Sequence, residues 1–488
     1  MIDKRYDTVI GLEAHVQLKT RTKMFCGCAY HFGAPPNSQT CPSCLGLPGA
    51  LPVANREAFR LGLRVGLALQ CRIAETLRFD RKQYFYPDLP KAYQITQFET
   101  PSHFDGHLDL SFGQAGETVH ILRAHLEEDS GKSLHGNKDE GTLIDLNRCG
   151  VPLLEIVTTP SIHSADMALD YLRELRLILR YIGASDCDME KGSLRCDVNI
   201  SLKPKGSTTL GRKIELKNLN SNRMIKRAIE YEQKRQAALY DTSKGIGAEE
   251  SRTWDDEAGE SRSMRRKESS ADYRYFPDPD LPRFRIAKAW IEETKAQLPE
   301  LPGPRFKRYQ SQLGLSAKDA QQLVQNASAA NYFEELTNLI SSAKKAANWV
   351  IAKVLPALKA APHLNAAANS AEAIAPIRPT PTIVAELINM TTEGLISQDA
   401  AHTLFDELRS STASPQDLAK TLDLLQLNDP DQLRELLRQS IDANPDTWEA
   451  LKSGTQPAQH ALVGWAMRQS QGRANAAKLS ELLRDMTI

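Results

Sequence analysis

The chain has no excess of charge of either sign, because 61 lysines and arginines balance 61 aspartates and glutamates over 488 residues. This balance excludes binding to nucleic acid through bulk positive charge, so any contact with RNA must use a local basic patch. The sequence also lacks an apolar run of about 18 residues, which excludes a membrane-spanning helix. Eight cysteines are too few for a disulfide scaffold in a chain of this length. We therefore expect a protein of the reducing cytoplasm, with thiols that are buried or bound to metal.

Several signatures of nucleotide-binding and glutamine-hydrolysing proteins are missing. The triplet Gly131-Lys132-Ser133 resembles the end of a phosphate-binding loop, but Leu126 occupies the position where that loop requires a glycine. The chain has neither an amidase-type glycine- and serine-rich segment with a lysine base nor a cysteine–histidine pair typical of a glutaminase. We therefore expect glutamine hydrolysis to belong to a different chain. A strand pattern begins at Thr8, so we also expect no signal or transit peptide.

Hydrophobic periodicity divides the chain into an α+β part and an all-α part. Over residues 8–18, apolar side chains such as Ile10 and Leu12 alternate with polar side chains such as Glu13 and His15, which predicts a half-buried strand. Four further segments have clear patterns, predicting strands at 194–200 and 212–219 and helices at 164–182 and 221–240. Strand patterns stop near Pro282. These features predict a large, mainly antiparallel sheet with flanking helices, followed by helices alone.

The same patterns suggest three domains. We predict a catalytic cradle domain over residues 1–294, an all-α helical domain over 295–408, and a small all-α tail domain over 409–488. The length of the chain is consistent with about three domains of ordinary size.

Four cysteines form two close pairs in the segment 26–44. Cys26 and Cys28 are followed, after a short segment, by Cys41 and Cys44, and glycines and prolines around them supply tight turns. Two thiolate pairs at this spacing match the tetrahedral requirement of zinc. Because four cysteines leave no open position for water, we predict a structural zinc site.

Carboxylates are concentrated on several of the predicted strands. Glu13 and His15 share one strand face, and a second acidic cluster contains His125, Glu127 and Glu128. Carboxylates from several strands can build an oxygen-rich site for a hard divalent cation, which an enzyme acting on nucleotide phosphates requires. On the residues alone, a set of solvated acidic edges remains an open alternative.

A series of motifs then identifies a family. The chain resembles the GatB family, the GatB subunits of the bacterial glutamyl-tRNA(Gln)/aspartyl-tRNA(Asn) amidotransferases, with a YqeY-like tail. The motifs that carry this resemblance are GLEAHV (11–16), YFYPD (84–88), HLEEDSGK (125–132), DLNR (145–148), GSLRCDVN (192–199), ELKNLNS (215–221) and DYRYFP (272–277).

The resemblance implies a specific reaction. GatB proteins use ATP and Mg²⁺ to phosphorylate the side-chain carboxylate of Glu-tRNA(Gln) or Asp-tRNA(Asn). Ammonia from the glutaminase subunit, GatA, then displaces the phosphate, and GatC holds GatA and GatB together in a heterotrimer. The helical and tail domains of the family contact tRNA.

The resemblance also assigns residues. It places the catalytic metal ligands for Mg²⁺ at five positions, Glu13, His15, Glu128, Glu155 and Asp197, and so selects Glu128 over Glu127. It places residues that contact ATP or the aminoacyl end at five more, Lys82, Lys91, Ser193, Arg195 and Lys217. The paired cysteines hold zinc in those members that have them.

The main alternative is a non-catalytic scaffold within the same complex, which binds tRNA while a partner performs the chemistry. Such a scaffold has no need for carboxylates that converge on one site, so their arrangement discriminates between the two. A stand-alone ligase of the ATP-grasp type is disfavoured, because the chain has no glycine-rich loop of that kind.

Overall fold

The structure is a computed structural model that describes residues 5–113, 115–135, 141–242, 249–266, 272–360 and 377–487. The chain divides into two compact units, Met1–Arg308 and Tyr309–Ile488. Among the described residues, no helix is long and apolar enough to cross a membrane.

Within the described residues, the strands that build sheets all belong to the first unit. In chain order they are β1 (Tyr6–Gln17), β2 (Arg72–Ile73), β3 (Thr76–Leu77), β4 (Asp80–Gln83), β5 (Tyr93–Thr96), β6 (His103–Asp109), β7 (Thr118–Glu128), β8 (Lys132–His135), β9 (Thr142–Asp145), β10 (Pro152–Thr158), β11 (Leu194–Pro204), β12 (Ile214–Lys217), β13 (Glu250–Asp255), β14 (Glu260–Arg266), β15 (Phe276–Pro277) and β16 (Phe284–Arg285).

The main sheet of the described residues has nine strands in the order β14-β13-β12-β11-β1-β10-β7-β6-β2. Every neighbouring pair in it is antiparallel except β12 and β13, which are parallel. A smaller sheet pairs β4 with β5 and β15. The expected α+β class with a large, mainly antiparallel sheet is therefore confirmed.

The helices of the first unit are α1 (Pro42–Leu45), α2 (Arg56–Ala68), α3 (Ala165–Tyr181), α4 (Asn222–Tyr240), α5 (Lys288–Ala296) and α6 (Pro302–Ser311), the last of which ends just beyond the unit boundary. The two long helices begin at serine caps, because Ser164 accepts a hydrogen bond from the Met167 amide and Ser221 accepts one from the Met224 amide. Both helices lie within one residue or so of the predicted segments 164–182 and 221–240.

The central strands of the main sheet have one apolar face and one polar face. On β1, Ile10, Leu12, Ala14 and Val16 are fully or almost fully buried and belong to the main core. Core residues on β7, β10 and β11 continue this apolar face, and residues of α3 and α4 belong to the same core. Burial of this face fixes the strand phase, because a shift of one residue would move every side chain to the opposite face. The polar residues of these strands are thereby committed to the other face.

The second unit is built from helices. They are α7 (Ala317–Val324), α8 (Ala327–Leu339), α9 (Ala343–Trp349), α10 (Leu355–Ala360), α11 (Pro381–Thr392), α12 (Gln398–Leu408), α13 (Pro415–Thr421), α14 (Pro430–Ala443), α15 (Pro445–Lys452), α16 (Gln456–Gln469) and α17 (Ala476–Asp485), with a π-helical turn at Val350–Val354 between α9 and α10. The last four helices enclose a small core of their own, which includes Leu433, Leu462 and Leu479.

One expectation about the strands needs correction. Strand structure does not stop near Pro282, because the short β16 pairs antiparallel with β3, joining Phe284 to Leu77 and Arg285 to Thr76. A two-residue strand has no visible alternation, so periodicity alone could not detect it.

Candidate functional site

A cavity of about 520 Å³ opens over the polar face of the main sheet. Its lining includes residues of β1, β7 and β10 to β14 in that sheet and of β4 and β5 in the smaller one, together with aromatic side chains from loops. The charged residues and histidines of the lining are Glu13, His15, Lys82, Arg123, His125, Glu127, Glu155, Asp197, Glu215 and Lys217. Both signs of charge meet in this cavity, with an acidic centre.

Strand register explains why these residues meet. His15 lies opposite Glu155 on one neighbouring strand and opposite Arg195 on the other. Glu155 in turn lies opposite His125. One row of side chains therefore crosses four adjacent strands in the order Arg195, His15, Glu155, His125. In the next row, Glu13 lies opposite Asp197, so side chains distant in sequence become cross-strand neighbours.

The centre of the cavity is a cluster of His15, Glu127 and Glu155. Potential ligand atoms of these three residues all lie within 4.8 Å of one another. The Nε2 atom of His15 lies 3.5 Å from Glu155 Oε2 and 3.9 Å from Glu127 Oε1. His125 Nε2 approaches the same two carboxylates, at 3.4 Å from Glu155 and 3.7 Å from Glu127.

The electrostatics of the cluster favour charge on both kinds of group. Burial by itself lowers the pKa of His15, but hydrogen bonding and Coulomb attraction to Glu155 outweigh it and raise that pKa to about 9. Burial likewise opposes the charged form of Glu155, yet the two histidines hold the pKa of this carboxyl well below its usual range. Without a cation, the cluster therefore holds itself together through charged histidines.

The residues of this cluster fit a divalent cation. Carboxylate oxygens are the ligands that Mg²⁺ prefers, and an imidazole widens the choice to metals such as Mn²⁺. A cation at this position would replace the positive charge that His15 otherwise supplies to Glu127 and Glu155. Glu13 and Asp197 line the same cavity, with Glu13 Oε1 accepting a hydrogen bond of 2.7 Å from Asn199. Four of the five residues expected as metal ligands are thus brought to one cavity.

Glu128 is the exception, because the structure separates it from this set. His125 and Glu127 leave β7 on the polar face, so Leu126 and Glu128 leave it on the other face, where Leu126 is buried in the core. Glu128 forms an ion pair with Lys91 and accepts a hydrogen bond of 3.0 Å from the Ile95 amide. The resemblance alone selected Glu128; strand alternation, anchored by the pairing of His125 with Glu155, places Glu127 in the cavity instead.

The five residues expected to contact ATP or the aminoacyl end are also divided. Lys82 and Lys217 line the cavity. Lys91 does not, since it pairs with Glu128. The Ser193 hydroxyl is bound to the backbone of Asp188. Arg195 lies beside His15 in the row across the sheet, but it donates a hydrogen bond of 2.9 Å to Asp129, whose pKa is lowered by Arg195 and Arg148 despite burial.

The two cavity lysines have different surroundings. Lys217 Nζ lies 3.2 Å from Asp197 and 3.3 Å from Glu215, and these carboxylates raise the pKa of Lys217 although burial opposes them. Lys82 Nζ instead lies 4.8 Å from the ring centroid of Tyr273. Among the described residues no carboxylate lies within ion-pair distance of Lys82, which leaves this cation suited to an incoming anion.

Sequence reasoning missed part of the cavity wall. The rings of Phe98 and Tyr275 stack with centroids 4.0 Å apart and planes 6° apart. Both line the cavity, as does Gln97. These residues lie in loops beside the strands, so neither alternation nor ligand-type spacing indicates them; only the meeting of β4, β5 and β15 brings the loops together.

The four paired cysteines come together on the same unit. The Sγ atoms of Cys26, Cys28, Cys41 and Cys44 all lie within 4.8 Å of one another, which fits four thiolates around one tetrahedral ion. A hydrogen bond with Cys26 lowers the pKa of Cys44 to about 4. The remaining cysteines, Cys71, Cys149, Cys187 and Cys196, are free and buried.

Comparisons with known proteins agree with this arrangement. The GatB/GatE catalytic domain family matches residues 8–292, and the GatB domain family that includes YqeY matches residues 331–486. Three relatives carry the name of the GatB component of aspartyl/glutamyl-tRNA(Asn/Gln) amidotransferase. Those from Caldicellulosiruptor saccharolyticus and Geobacter sulfurreducens are 43% and 46% identical, each over 98% of both chains. That from Carboxydothermus hydrogenoformans is 43% identical over 99% of both chains.

Similarity of this extent covers both units and the whole polar cavity. The first family match spans the strands of the main sheet from Thr8 onward, and the second spans most of the helical unit. The chain belongs to the GatB family, the GatB subunits of tRNA-dependent amidotransferases.

Proposed function

We propose that this chain phosphorylates the side-chain carboxylate of Glu-tRNA(Gln) or Asp-tRNA(Asn), using ATP and Mg²⁺, and then exposes the product to ammonia. The observation that carries the proposal is the convergence of Glu13, His15, Glu127, Glu155 and Asp197 on one cavity with two lysines in its wall. A protein that only held tRNA would have no use for a buried acidic centre.

The reaction balances as two displacements. An oxygen of the substrate carboxylate attacks the γ-phosphorus of ATP, the bond to the β-phosphate oxygen breaks, and ADP leaves. Ammonia then attacks the carbonyl carbon of the acyl phosphate and loses a proton, while phosphate leaves with the carbon–oxygen bond. The products are Gln-tRNA(Gln) or Asn-tRNA(Asn), ADP and phosphate.

The residues of the cavity have distinct roles in this proposal. His15, Glu127 and Glu155 would hold the divalent cation, with Glu13 and Asp197 beside them. When bound, that cation neutralises phosphate oxygens and orients them. Lys82 binds phosphate oxygens as a point charge, and the stacked Phe98 and Tyr275 form an apolar wall that excludes water from the reacting groups.

The proposal requires partners. The chain resembles one component of a larger enzyme, and its sequence has no glutaminase signature, so ammonia must come from another chain. We propose a heterotrimer with an amidase-type subunit, GatA, and a small linking subunit, GatC, acting in the cytoplasm where its tRNA substrates are charged. The four-cysteine cluster holds a structural zinc ion in this proposal.

The direct test is ADP formation by the reconstituted heterotrimer. ATP, Mg²⁺ and Glu-tRNA(Gln) are supplied without any ammonia source, and single-turnover ADP formation is compared between the wild type and Glu155→Gln. The proposal predicts a loss of about 100-fold or more, because a ligand of the cation is removed. The control Glu260→Gln, on the edge strand β14, keeps the wild-type rate. Unchanged ADP formation by an assembled Glu155→Gln complex would move the chemistry to a partner and leave this chain a scaffold.

A further inference from the structure

Gln97, directly after β5, combines full burial with a position in the wall of the cavity. Its side chain has no exposed surface, yet it belongs to the cavity lining beside Thr96 and Phe98. Its carboxamide oxygen accepts a hydrogen bond of 2.9 Å from the backbone amide of Leu126 on β7. Gln97 thus bridges β5 and β7 next to the acidic centre.

The hydrogen bond to Leu126 fixes the orientation of the amide. If the oxygen and nitrogen of Gln97 exchanged places, the side-chain NH₂ would face the Leu126 N–H, and two donors would oppose each other. The nitrogen Nε2 is therefore the atom that remains to serve the cavity. It is buried, and it has no hydrogen-bond partner among the described residues.

Such an orphaned donor is rare, because leaving a buried polar group without a partner costs about 1–3 kcal/mol. Gln236 on α4 shows the ordinary arrangement. It is also fully buried, and its oxygen also accepts from a strand amide, that of Leu202, but its nitrogen donates to the Ile200 carbonyl and to Glu232. The amide of Gln97 differs in facing the cavity.

The surroundings of Gln97 indicate what its nitrogen binds. The adjacent Thr96 hydroxyl donates a hydrogen bond of 3.1 Å to Glu127 Oε2, so this side of the cavity already supplies a donor to the acidic centre. A neutral NH₂ group can hydrogen-bond an anionic oxygen without competing for the cation. A ligand oxygen that also contacted the cation would lie within reach of this end of the cavity.

Resting on the proposed function, we propose that Gln97 is a substrate-binding residue whose Nε2 donates to an anionic oxygen of the reacting groups. That oxygen belongs either to a phosphate of the nucleotide or to the substrate carboxylate that becomes the acyl phosphate. In both cases the donor stabilises negative charge beside the phosphoryl group that is transferred.

Three variants of the full heterotrimer test this assignment. Gln97→Glu keeps an acceptor for Leu126 and replaces the donor by oxygen, whereas Gln97→Met removes donor and acceptor without adding charge. Gln236→Met is the matched control, since it also deprives a buried strand amide of its acceptor, but outside the cavity. For each variant, the dissociation constant of MgATP is measured without tRNA, and the rate of ADP formation is measured with Glu-tRNA(Gln).

We expect both Gln97 variants to lower kcat/KM for ADP formation about 10- to 100-fold. Gln236→Met lowers thermal stability only. Weakened MgATP binding would assign the oxygen to the nucleotide, and unchanged MgATP binding with a lower kcat would assign it to the carboxylate. Gln97 variants that behave like Gln236→Met in both measurements overturn the inference while the proposed function stands. If the wild type forms no tRNA-dependent ADP, the proposed function fails, and MgATP binding alone decides whether Gln97 contacts a ligand.

Discussion

Glu127 and Glu128 are adjacent in sequence, but their side chains leave β7 on opposite faces of the main sheet. Glu127 approaches His15 and His125 in the cavity, whereas Glu128 pairs with Lys91. Lys91 and Glu128 line a second small pocket together with Cys26 and Cys44. The two carboxylates therefore connect one strand to two different sites, the acidic centre and the cysteine cluster.

The cysteine cluster predicts a bound zinc ion that stabilises the fold. The wild-type chain, purified without added metal, should contain about one zinc ion per chain by elemental analysis. Cys28→Ser should lose the zinc and lower the free energy of unfolding by several kcal/mol, because zinc binding is coupled to folding. Cys71→Ala, which removes a buried thiol elsewhere, should keep the zinc. A wild-type chain free of zinc whose stability is insensitive to chelators contradicts this prediction.

Lys23 is predicted to strengthen zinc binding. This lysine is fully buried, and its ammonium lies 3.6 Å from Cys44 Sγ and 2.7 Å from the Gln39 carbonyl oxygen. Four thiolates around one Zn²⁺ leave an excess of negative charge, which a buried cation offsets. Lys23→Met should raise the zinc dissociation constant about tenfold or more in competition with a chelator. Lys19→Met, at a more exposed position, should leave it unchanged; equal constants for all three proteins would exclude the role.

Glu174 predicts a specific pH dependence of stability. This buried glutamate of α3 accepts hydrogen bonds of 2.8 Å from the amides of Ser111 and Phe112, yet burial raises its pKa from 4.5 to about 7. Because the folded state binds the proton more tightly than the unfolded state, its contribution is complete below the unfolded pKa and is lost as the pH rises through about 7.

The measurement is urea unfolding of the wild type and Glu174→Gln at several pH values. The wild type should lose about 3 kcal/mol relative to the variant between acidic and mildly alkaline pH. Parallel curves for the two proteins across this range would show that the hydrogen bonds to the ionised carboxylate compensate fully for its burial.

Much of the fold could be predicted because long, patterned elements determine it. The strand expected at residues 8–18 is found at Tyr6–Gln17, and the helix expected at 221–240 is found at Asn222–Tyr240. The cysteine cluster was also predictable, since its four ligands lie close together in sequence. The division of the second unit into helical and tail domains stays a prediction.

The cavity was harder to predict because it depends on strand pairing. Alternation shows that Glu127 and Glu128 lie on opposite faces, but only the register that sets His125 against Glu155 decides which of them faces the cavity. Gln97 was invisible for a related reason, since its role follows from one hydrogen bond that its side chain accepts from the backbone of β7. Periodicity reports the face of a residue within one strand, whereas a site between strands requires their registers.

The acidic centre carries the proposed chemistry, and Glu127 and Glu128 provide the sharpest comparison within one dipeptide. In the reconstituted heterotrimer with ATP, Mg²⁺ and Glu-tRNA(Gln), Glu127→Gln should lower the rate of ADP formation about 100-fold or more. Glu128→Gln breaks the pair with Lys91 and should lower thermal stability, but it should keep the rate within about threefold, since Glu128 lies on the far face. The opposite pattern, with Glu127→Gln active and Glu128→Gln inactive in a folded complex, would contradict this placement of the site.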